Sequence, residues 1–393
     1  MSLRGNRARS KHLPGWPPVR RTLQPRRRSR PRNAYCDGPC RRRRVAYCYD
    51  RPLSFGATSL PYSAGSSRLA RGVLLRRDCS ECVQGGVSLA CRRRAIASAR
   101  LLEMAGKLEE RALTAARAVA AGYGLAQDHA AVVYSGSNVL VHLRPAPVIA
   151  RVMTGTVALH DQPQRWLERE ISVLEFLADS GLAVAPSPLI APGPHHRDGL
   201  WMTFAEWMPD ARPATRIRDP YRLGRALREL HDALRLFDGD LADFEALCDG
   251  TERLLGQLRP TDAQEIDKIA WLRARLAELR DEVFEARIPA QALHGDVSLT
   301  NLLCTPHGLV WNDFEDTLRG PVHWDLAGYV ISLRASGASS RSIRAMLDAY
   351  GWDDEQELSP FFAAHGVYDE IWRMYDRQRR RTGSTEPSHA RED

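Results

Sequence analysis

Three features are rare or absent in this chain of 393 residues, and they narrow the class of protein that it can be. Only Lys11, Lys107 and Lys268 are lysines among its 56 basic residues, so arginine carries almost all of its positive charge. No run of about 18 apolar residues occurs, so we expect no membrane-spanning helix and no membrane partner. The basic N-terminus is not followed by an apolar core, which argues against a secretory signal.

Cysteine is scarce beyond the first hundred residues, where only Cys248 and Cys304 occur. Two isolated cysteines do not suggest a disulfide framework. This pattern of cysteine use fits a reducing compartment. We therefore expect a cytoplasmic protein.

Acidic residues are scarce in the first hundred residues, which contain 24 Lys and Arg but only 4 Asp and Glu. The rest of the chain contains 32 basic and 44 acidic residues, so a segment of net charge +20 precedes one of −12. Low hydrophobicity combined with high net charge predicts disorder for residues 1–103. Because the sequence changes character at Met104, we interpret residues 1–103 as an over-extended start.

Three other interpretations of residues 1–103 stay open. Their arginine clusters suit nonspecific binding to phosphate backbones, although we do not expect a nucleic-acid partner. An Arg-rich, acid-poor leader also resembles an organelle transit peptide. Zinc binding is the third interpretation, although the cysteine spacings match no paired CxxC pattern. Its candidate ligands are Cys36, Cys40, Cys79 and Cys82.

From about residue 130 the sequence takes on the pattern of short β-strands. Runs rich in β-branched residues cover 131–134, 139–143 and 147–152. Small residues between two strands let backbone N–H groups approach a phosphate closely. The turn between the first two runs is therefore a candidate phosphate loop, made of Ser135, Gly136, Ser137 and Asn138.

A charged pair is predicted next to this loop. Arg151 is the charged residue of the third strand-like run. Residues 166–178 follow with a helical pattern, and Glu170 lies within or beside its apolar stripe. A carboxylate that faces inward needs a counter-charge to offset its desolvation. We therefore predict that Glu170 pairs with Arg151.

The stretch 294–316 combines acidic residues with two short apolar runs. We predict that residues 302–311 form a β-hairpin. Asn301 precedes the first strand and Asp313 follows the second, so the hairpin brings them side by side. Oxygen ligands that converge in this way, beside the further carboxylate of Asp296, are what a magnesium phosphate site requires.

The order of these features resembles the aminoglycoside phosphotransferase family, relatives of the protein kinases. The resemblance lies in His-Gly-Asp-x4-Asn at 294–301, Asp-Phe-Glu at 313–315 and Trp-Asp-Leu-Ala at 324–327. It extends over residues 130–330. By this resemblance, Asp325 would tie the catalytic loop down through backbone amides.

The resemblance implies an α+β fold of the two-lobed, protein-kinase-like type. Residues 104–207 would form an N-terminal nucleotide-binding lobe with an antiparallel sheet and a helix. Residues 208–393 would form a mainly helical lobe that carries the catalytic and acceptor-binding groups.

The resemblance also implies roles for five residues of the C-terminal lobe. Asp296 would orient the acceptor hydroxyl toward the γ-phosphate. His294 would brace the catalytic loop without transferring protons. Asn301 and Asp313 would hold Mg²⁺. Glu315 would either assist a second metal ion or cap the following turn.

For the nucleotide, the resemblance implies ATP with its phosphates at the loop 135–138 and at a cation on the third strand. The family usually supplies lysine there, and Arg151 is a departure from that pattern, although it keeps a permanent charge. Glu170 would hold Arg151. Glu206 and Met208 occupy hinge positions, where the backbone would meet the adenine.

We therefore predict an ATP- and Mg²⁺-dependent kinase that phosphorylates a hydroxyl group of a small molecule. The acidic charge beyond residue 100 would attract a cationic acceptor, although many proteins are equally acidic. A nucleotide-binding pseudokinase stays an alternative, because Arg151 replaces the usual lysine. The sequence gives no indication of oligomeric state.

Overall fold

The structure, a computed structural model, describes residues 89–285 and 287–382. The candidate zinc ligands and the arginine clusters between residues 26 and 44 lie outside these ranges. Within them, none of the helices is both long and apolar enough to cross a membrane.

The first described element is a single continuous helix, α1 (Leu89–Gly122). The predicted boundary at Met104 therefore falls inside a helix. Further along α1, four alanines are fully buried, and their spacing of three, one and four residues places them on one helical face. Alanine side chains let this helix lie close against the neighbouring sheet. These residues are Ala112, Ala115, Ala116 and Ala120.

The N-terminal sheet is antiparallel and has the strand order β1-β2-β3-β5-β4. Its strands include the three β-rich runs predicted from the sequence, and the loop between the first two lies where it was expected. The five strands are β1 (Ala131–Ser135), β2 (Val139–His142), β3 (Val148–Val152), β4 (His195–Arg197) and β5 (Leu200–Glu206).

The two faces of this sheet have different roles because side chains alternate along a strand. Val148, Ala150 and Val152 of β3 are fully buried in one apolar cluster with the alanines of α1. Ile149 and Arg151 point to the opposite face and line a cleft. Helix α2 (Pro163–Leu177) lies between β3 and β4 in the chain and matches the helix predicted at 166–178.

The C-terminal lobe is mainly helical. Asp219 begins its first helix by accepting hydrogen bonds from the N–H groups of Tyr221 and Arg222. The helix that begins at Ala263 ends at Leu279, and the chain continues as a π-helical turn to Phe284. The helices are α3 (Pro220–Leu234), α4 (Glu245–Gln257), α5 (Ala263–Leu279), α6 (His323–Ala335), α7 (Ser340–Tyr350) and α8 (Ser359–Thr382).

Short strands in this lobe frame the catalytic loop. The predicted hairpin is present, with Leu302 opposite Trp311 and a turn at Pro306 and His307. These strands are β6 (Arg212–Pro213), β7 (Gln291–Leu293), β8 (Leu302–Thr305), β9 (Gly308–Trp311) and β10 (Leu318–Gly320). The described residues thus confirm the α+β class, with a sheet-rich part followed by a helical part.

Candidate active site

The loop between β7 and β8 is held in place by His294, which is fully buried. Its Nε2 lies 3.0 Å from the carbonyl oxygen of Asn312, and its Nδ1 accepts the N–H of Asp296 at 3.3 Å. Burial lowers the pKa of His294 to about 4, so the ring is neutral near pH 7. These contacts make His294 a brace between the loop from β7 to β8 and the chain after β9.

Asp325, fully buried at the start of α6, fixes the same loop from the other side. Its carboxylate accepts the N–H groups of His294 at 2.9 Å and Gly295 at 3.0 Å, which is the tie predicted from the sequence. It also lies 3.0 Å from Nε2 of His231, whose Nδ1 lies 2.8 Å from the hydroxyl of Tyr350. The sequence did not predict this connection from α3 and α7 to the loop.

Asp296 and Asn301 are linked across the catalytic loop. The Nδ2 group of Asn301 donates to the backbone oxygen of Asp296 at 2.9 Å and to its carboxylate at 2.8 Å. Because the amide nitrogen is engaged in this way, its oxygen is oriented away and can serve as a ligand. Burial raises the pKa of Asp296 to about 6, while the hydrogen bond from Asn301 acts in the opposite direction.

Asp313 follows β9 with two features that single it out. Its φ angle is 68°, in the left-handed region that non-glycine residues rarely adopt, at a cost of about 1–3 kcal/mol. Its Oδ1 atom is buried and has no hydrogen-bond partner among the described residues. Burial and the nearby charge of Glu315 raise the pKa of Asp313 well above its ordinary value. A strained and unpaired carboxylate of this kind is suited to a cation.

Further carboxylates increase the negative charge around Asp313. The pKa of Asp316 is also well above its ordinary value, first through burial and then through Glu315 and Asp296. Within the described residues, no three His, Cys, Asp or Glu side chains form a metal site by themselves. A Mg²⁺ ion fits such a place when one or two protein oxygens and the phosphates of a nucleotide share its coordination.

Arg151 joins the two lobes through a network of buried groups. Its guanidinium forms ion pairs with Glu170, as predicted, and with Glu315. Glu315 also accepts hydrogen bonds from the Nδ2 group of Asn138 at 2.8 and 3.0 Å. The resemblance implied a second metal ion or a cap for Glu315, whereas the structure places it between the candidate phosphate loop and β3.

The candidate phosphate loop is braced from within. The side-chain oxygen of Asn138 accepts the N–H of Thr154 at 3.1 Å and the hydroxyl of Thr156 at 2.9 Å. At Gly136, an added Cβ would lie 2.1 Å from the hydroxyl oxygen of Tyr134, so a side chain there would displace the tyrosine. The loop therefore holds its shape through Asn138, and its backbone stays close to the cleft.

One cleft brings many of the predicted residues together. Seven of them line it: Ser137, Asn138, Arg151, Glu206, Met208, Asn301 and Asp313. The other six are not among its lining residues: Ser135, Gly136, Glu170, His294, Asp296 and Glu315. Four apolar residues of the lining were not predicted from the sequence: Leu140, Ile149, Val184 and Leu303.

The strand pattern contained a signal for two of these apolar residues. Leu140 is the cross-strand partner of Arg151, and Ile149 precedes Arg151 by two positions. Both therefore share the face of the sheet that carries Arg151.

The model of the phosphotransferase enzyme family matches residues 131–361, more than half of the chain. The chain belongs to this family. The match contains the loop 135–138, Arg151, the loop 294–301 and the hairpin. No curated protein matches the chain significantly.

Solved structures of similar proteins include the choline kinase of Streptococcus pneumoniae, with 18% identity, a TM-score of 0.46, and coverage of 62% of this chain and 83% of that one. The aminoglycoside phosphotransferase of Streptomyces rimosus, in complex with ADP and streptomycin, has 15% identity and a TM-score of 0.48, over 65% of this chain and 97% of that one. An ethanolamine kinase of Plasmodium vivax has 16% identity and a TM-score of 0.42, over 65% and 81%.

Family membership confirms the predicted enzyme class, a phosphotransferase. Together with the order of helices and strands, it also confirms the two-lobed kinase-like fold.

Proposed function

We propose that this phosphotransferase is an ATP-dependent kinase that phosphorylates a hydroxyl group of a small molecule. The observation that carries the proposal is the cleft in which Arg151 and Asp313 both lie. Arg151 offers a cation on a braced strand, and Asp313 offers a carboxylate oxygen that no described residue satisfies. A nucleotide with a divalent cation would complement both.

The lining of the cleft suits a purine nucleotide. Leu140, Ile149 and Leu303 provide apolar surface for a planar base, and the chain at 206–208 provides backbone groups at the edge of the cleft. Arg151 can then contact the phosphates, which are close to the loop 135–138.

The oxygens of Asn301 and Asp313 are the proposed ligands of Mg²⁺. When bound, this ion would neutralise charge on the phosphates. The two residues flank the hairpin, so the pairing of β8 with β9 determines their separation.

The reaction needs little covalent chemistry from the protein. The acceptor oxygen forms a bond to the γ-phosphorus, the bond from that phosphorus to the bridging oxygen breaks, and ADP leaves with the electron pair. The hydroxyl proton passes to the carboxylate of Asp296. Positioning dominates because the transition state of phosphoryl transfer is loose.

Asp369 supports an acceptor that carries a protonated amine. It is half-buried on α8, and no hydrogen bond or ion pair joins it to another described residue. Its charge helps to raise the pKa of Asp296, so the two carboxylates act on the same region of the lobe. A hydroxyl near Asp296 and an ammonium near Asp369 would suit this pair.

ADP release by the full-length chain tests the proposal. The assay contains Mg²⁺ and ATP and a panel of amino alcohols, aminoglycosides, neutral sugars and macrolides. In Asp296→Asn, which preserves shape but removes the charge, we expect acceptor-dependent ADP release to fall by about 10²–10⁴. Asp353→Asn, at an exposed position on the same lobe, serves as the control and should retain full activity.

Two results would contradict the proposal. Absence of Mg²⁺-dependent ATP binding would exclude a kinase. Binding without release on any acceptor would instead favour the nucleotide-binding pseudokinase. Normal turnover of Asp296→Asn would remove Asp296 from its role and leave the kinase assignment intact.

A further inference from the structure

Helix α8 (Ser359–Thr382) contacts two separate parts of the active site. Near its beginning, the ring of His365 stacks on Trp324 with 3.6 Å between centroids and also lies 3.0 Å from the Trp324 carbonyl oxygen. Trp324 in turn donates from Nε1 to the carbonyl oxygen of Gly295 at 2.7 Å, in the catalytic loop. Near its end, the helix reaches the phosphate loop of the other lobe.

Arg379 makes this second contact. Only 8% of the residue is exposed, which is unusual for an arginine near the end of a helix. Its Nη2 group donates to Asp376, one turn earlier, at 2.7 Å, and lies 3.5 Å from the carbonyl oxygen of Gly136. The ion pair with Asp376 offsets part of the desolvation of the guanidinium and orients it toward the loop.

Gly155 lies between Arg379 and the phosphate loop, and neither neighbour leaves room for a side chain at this position. Its N–H donates to the carbonyl oxygen of Ser137 at 2.6 Å. A Cβ atom added at Gly155 would lie 2.6 Å from that oxygen and 3.0 Å from both Cζ and Nη2 of Arg379. Because the loop, Gly155 and Arg379 are in direct contact, the loop cannot shift toward α8 unless Arg379 also moves.

The end of α8 also acts electrostatically on the cleft. Tyr134 lines the cleft and lies against Gly136. Burial raises the pKa of Tyr134, Asp313 and Asp376 add to this increase, and Arg380 opposes it. Charged residues of α8 and the proposed metal ligand Asp313 therefore both shift the pKa of Tyr134.

We propose that Arg379 is a positioning residue that sets the phosphate loop for the phosphates of the nucleotide. The inference rests on the proposed function of the cleft as a nucleotide site. Arg379 lies beyond residue 361, where the family match ends, so this contact is a feature of the chain outside the matched region. Helix α8 therefore carries Asp369 and, through Arg379, also supports the phosphate loop.

Binding of ATP and of adenosine to the full-length chain, measured by calorimetry with Mg²⁺, tests this role without any acceptor. Adenosine has no phosphates, so it reports on the integrity of the base site. In Arg379→Ala we expect the Kd for ATP to rise about tenfold, the size of a lost hydrogen bond to a charged group, and the Kd for adenosine to change less than twofold. Arg379→Lys should recover part of the lost ATP affinity.

Arg380→Ala is the matched control, because Arg380 is exposed, lies next in sequence and pairs with the same Asp376. Because it removes the same positive charge without the contact to the loop, it should weaken ATP binding less than twofold, well below the effect of Arg379→Ala. Gly155→Ala approaches the contact from the other side and leaves every charge in place. It should also weaken the binding of ATP more than the binding of adenosine. If Arg379→Ala does not fold, the result for Gly155→Ala tests the inference.

Unchanged ATP affinity in both Arg379→Ala and Gly155→Ala would overturn the inference. So would equal losses for ATP and adenosine, since these would indicate a general structural role. If the unmodified chain binds adenosine and ATP equally, or neither of them, the proposed nucleotide site itself fails, and this result differs from either of the others.

Discussion

The two sides of the cleft differ in how their charges are paired. On the side of the N-terminal lobe, Arg151 is in contact with both Glu170 and Glu315, and Glu315 is also bound by Asn138. On the side of the hairpin, an oxygen of Asp313 is buried without a partner among the described residues. We call these the paired side and the unpaired side.

This difference shows which parts of the site the protein completes by itself. The paired side is preorganised, because a buried cation with two carboxylates holds its geometry before any ligand arrives. The unpaired side carries excess negative charge, and this charge opposes folding until a cation neutralises it. Substitutions on the two sides should therefore have opposite effects on stability.

Asp313→Asn should have the largest effect on activity. We expect turnover to fall by about 10²–10⁴, because a positioned ligand of the metal is lost. The folded chain should nevertheless become more stable without metal, since a raised pKa means that the ionised carboxylate disfavours the folded state at neutral pH. Turnover and urea unfolding measure the two effects.

The same variant tests whether Mg²⁺ binds through Asp313. In the presence of ATP, addition of Mg²⁺ should raise the Tm of the unmodified chain by mass action and leave the Tm of Asp313→Asn unchanged. Equal Mg²⁺-dependent shifts in both proteins, or a strongly destabilised Asp313→Asn, would show that Asp313 belongs to a paired network as well.

Arg151→Met is the corresponding change on the paired side. It leaves two buried carboxylates without their cation, so we expect a loss of about 3–5 kcal/mol in the free energy of unfolding. Urea unfolding of the full-length chain would measure it. The sign is opposite to that expected for Asp313→Asn, and a neutral result would remove the distinction between the two sides.

Arg151→Lys separates charge from geometry. Lysine is the usual residue in the resembled family, yet an ammonium group lacks the fork with which Arg151 reaches both Glu170 and Glu315. We expect stability between that of the unmodified chain and that of Arg151→Met. Full stability would show that charge alone holds the paired side.

The paired side could be predicted only in part from the sequence. The pairing of Arg151 with Glu170 followed from a carboxylate in an apolar stripe. The contacts of Glu315 did not, because they join residues 164 and 177 positions apart across the two lobes. Local periodicity contains no information on how two lobes meet.

The unpaired side was easier to predict, because it is local in sequence. Asn301 and Asp313 flank one hairpin, and the strand pairing that aligns them could be predicted from two apolar runs and a turn. The acceptor region was not predictable in this way. Asp369, whose charge acts on Asp296, lies on a helix that was not predicted from the sequence.

Asp369→Asn should have the smallest effect and shows whether the unpaired side extends to the acceptor. Burial raises the pKa of Asp369 to about 6, so the carboxylate is mostly ionised at pH 7.5 and becomes neutral as the pH falls below 6. For an acceptor with a protonated amine, we expect the variant to raise KM about tenfold at pH 7.5 and to reduce the increase in KM at low pH to the part that comes from Asp296, whose pKa is also about 6. A neutral acceptor with the same hydroxyl should show the same KM in both proteins. If KM changes equally for both acceptors, Asp369 supports the shape of the pocket, and the unpaired side ends at the catalytic loop.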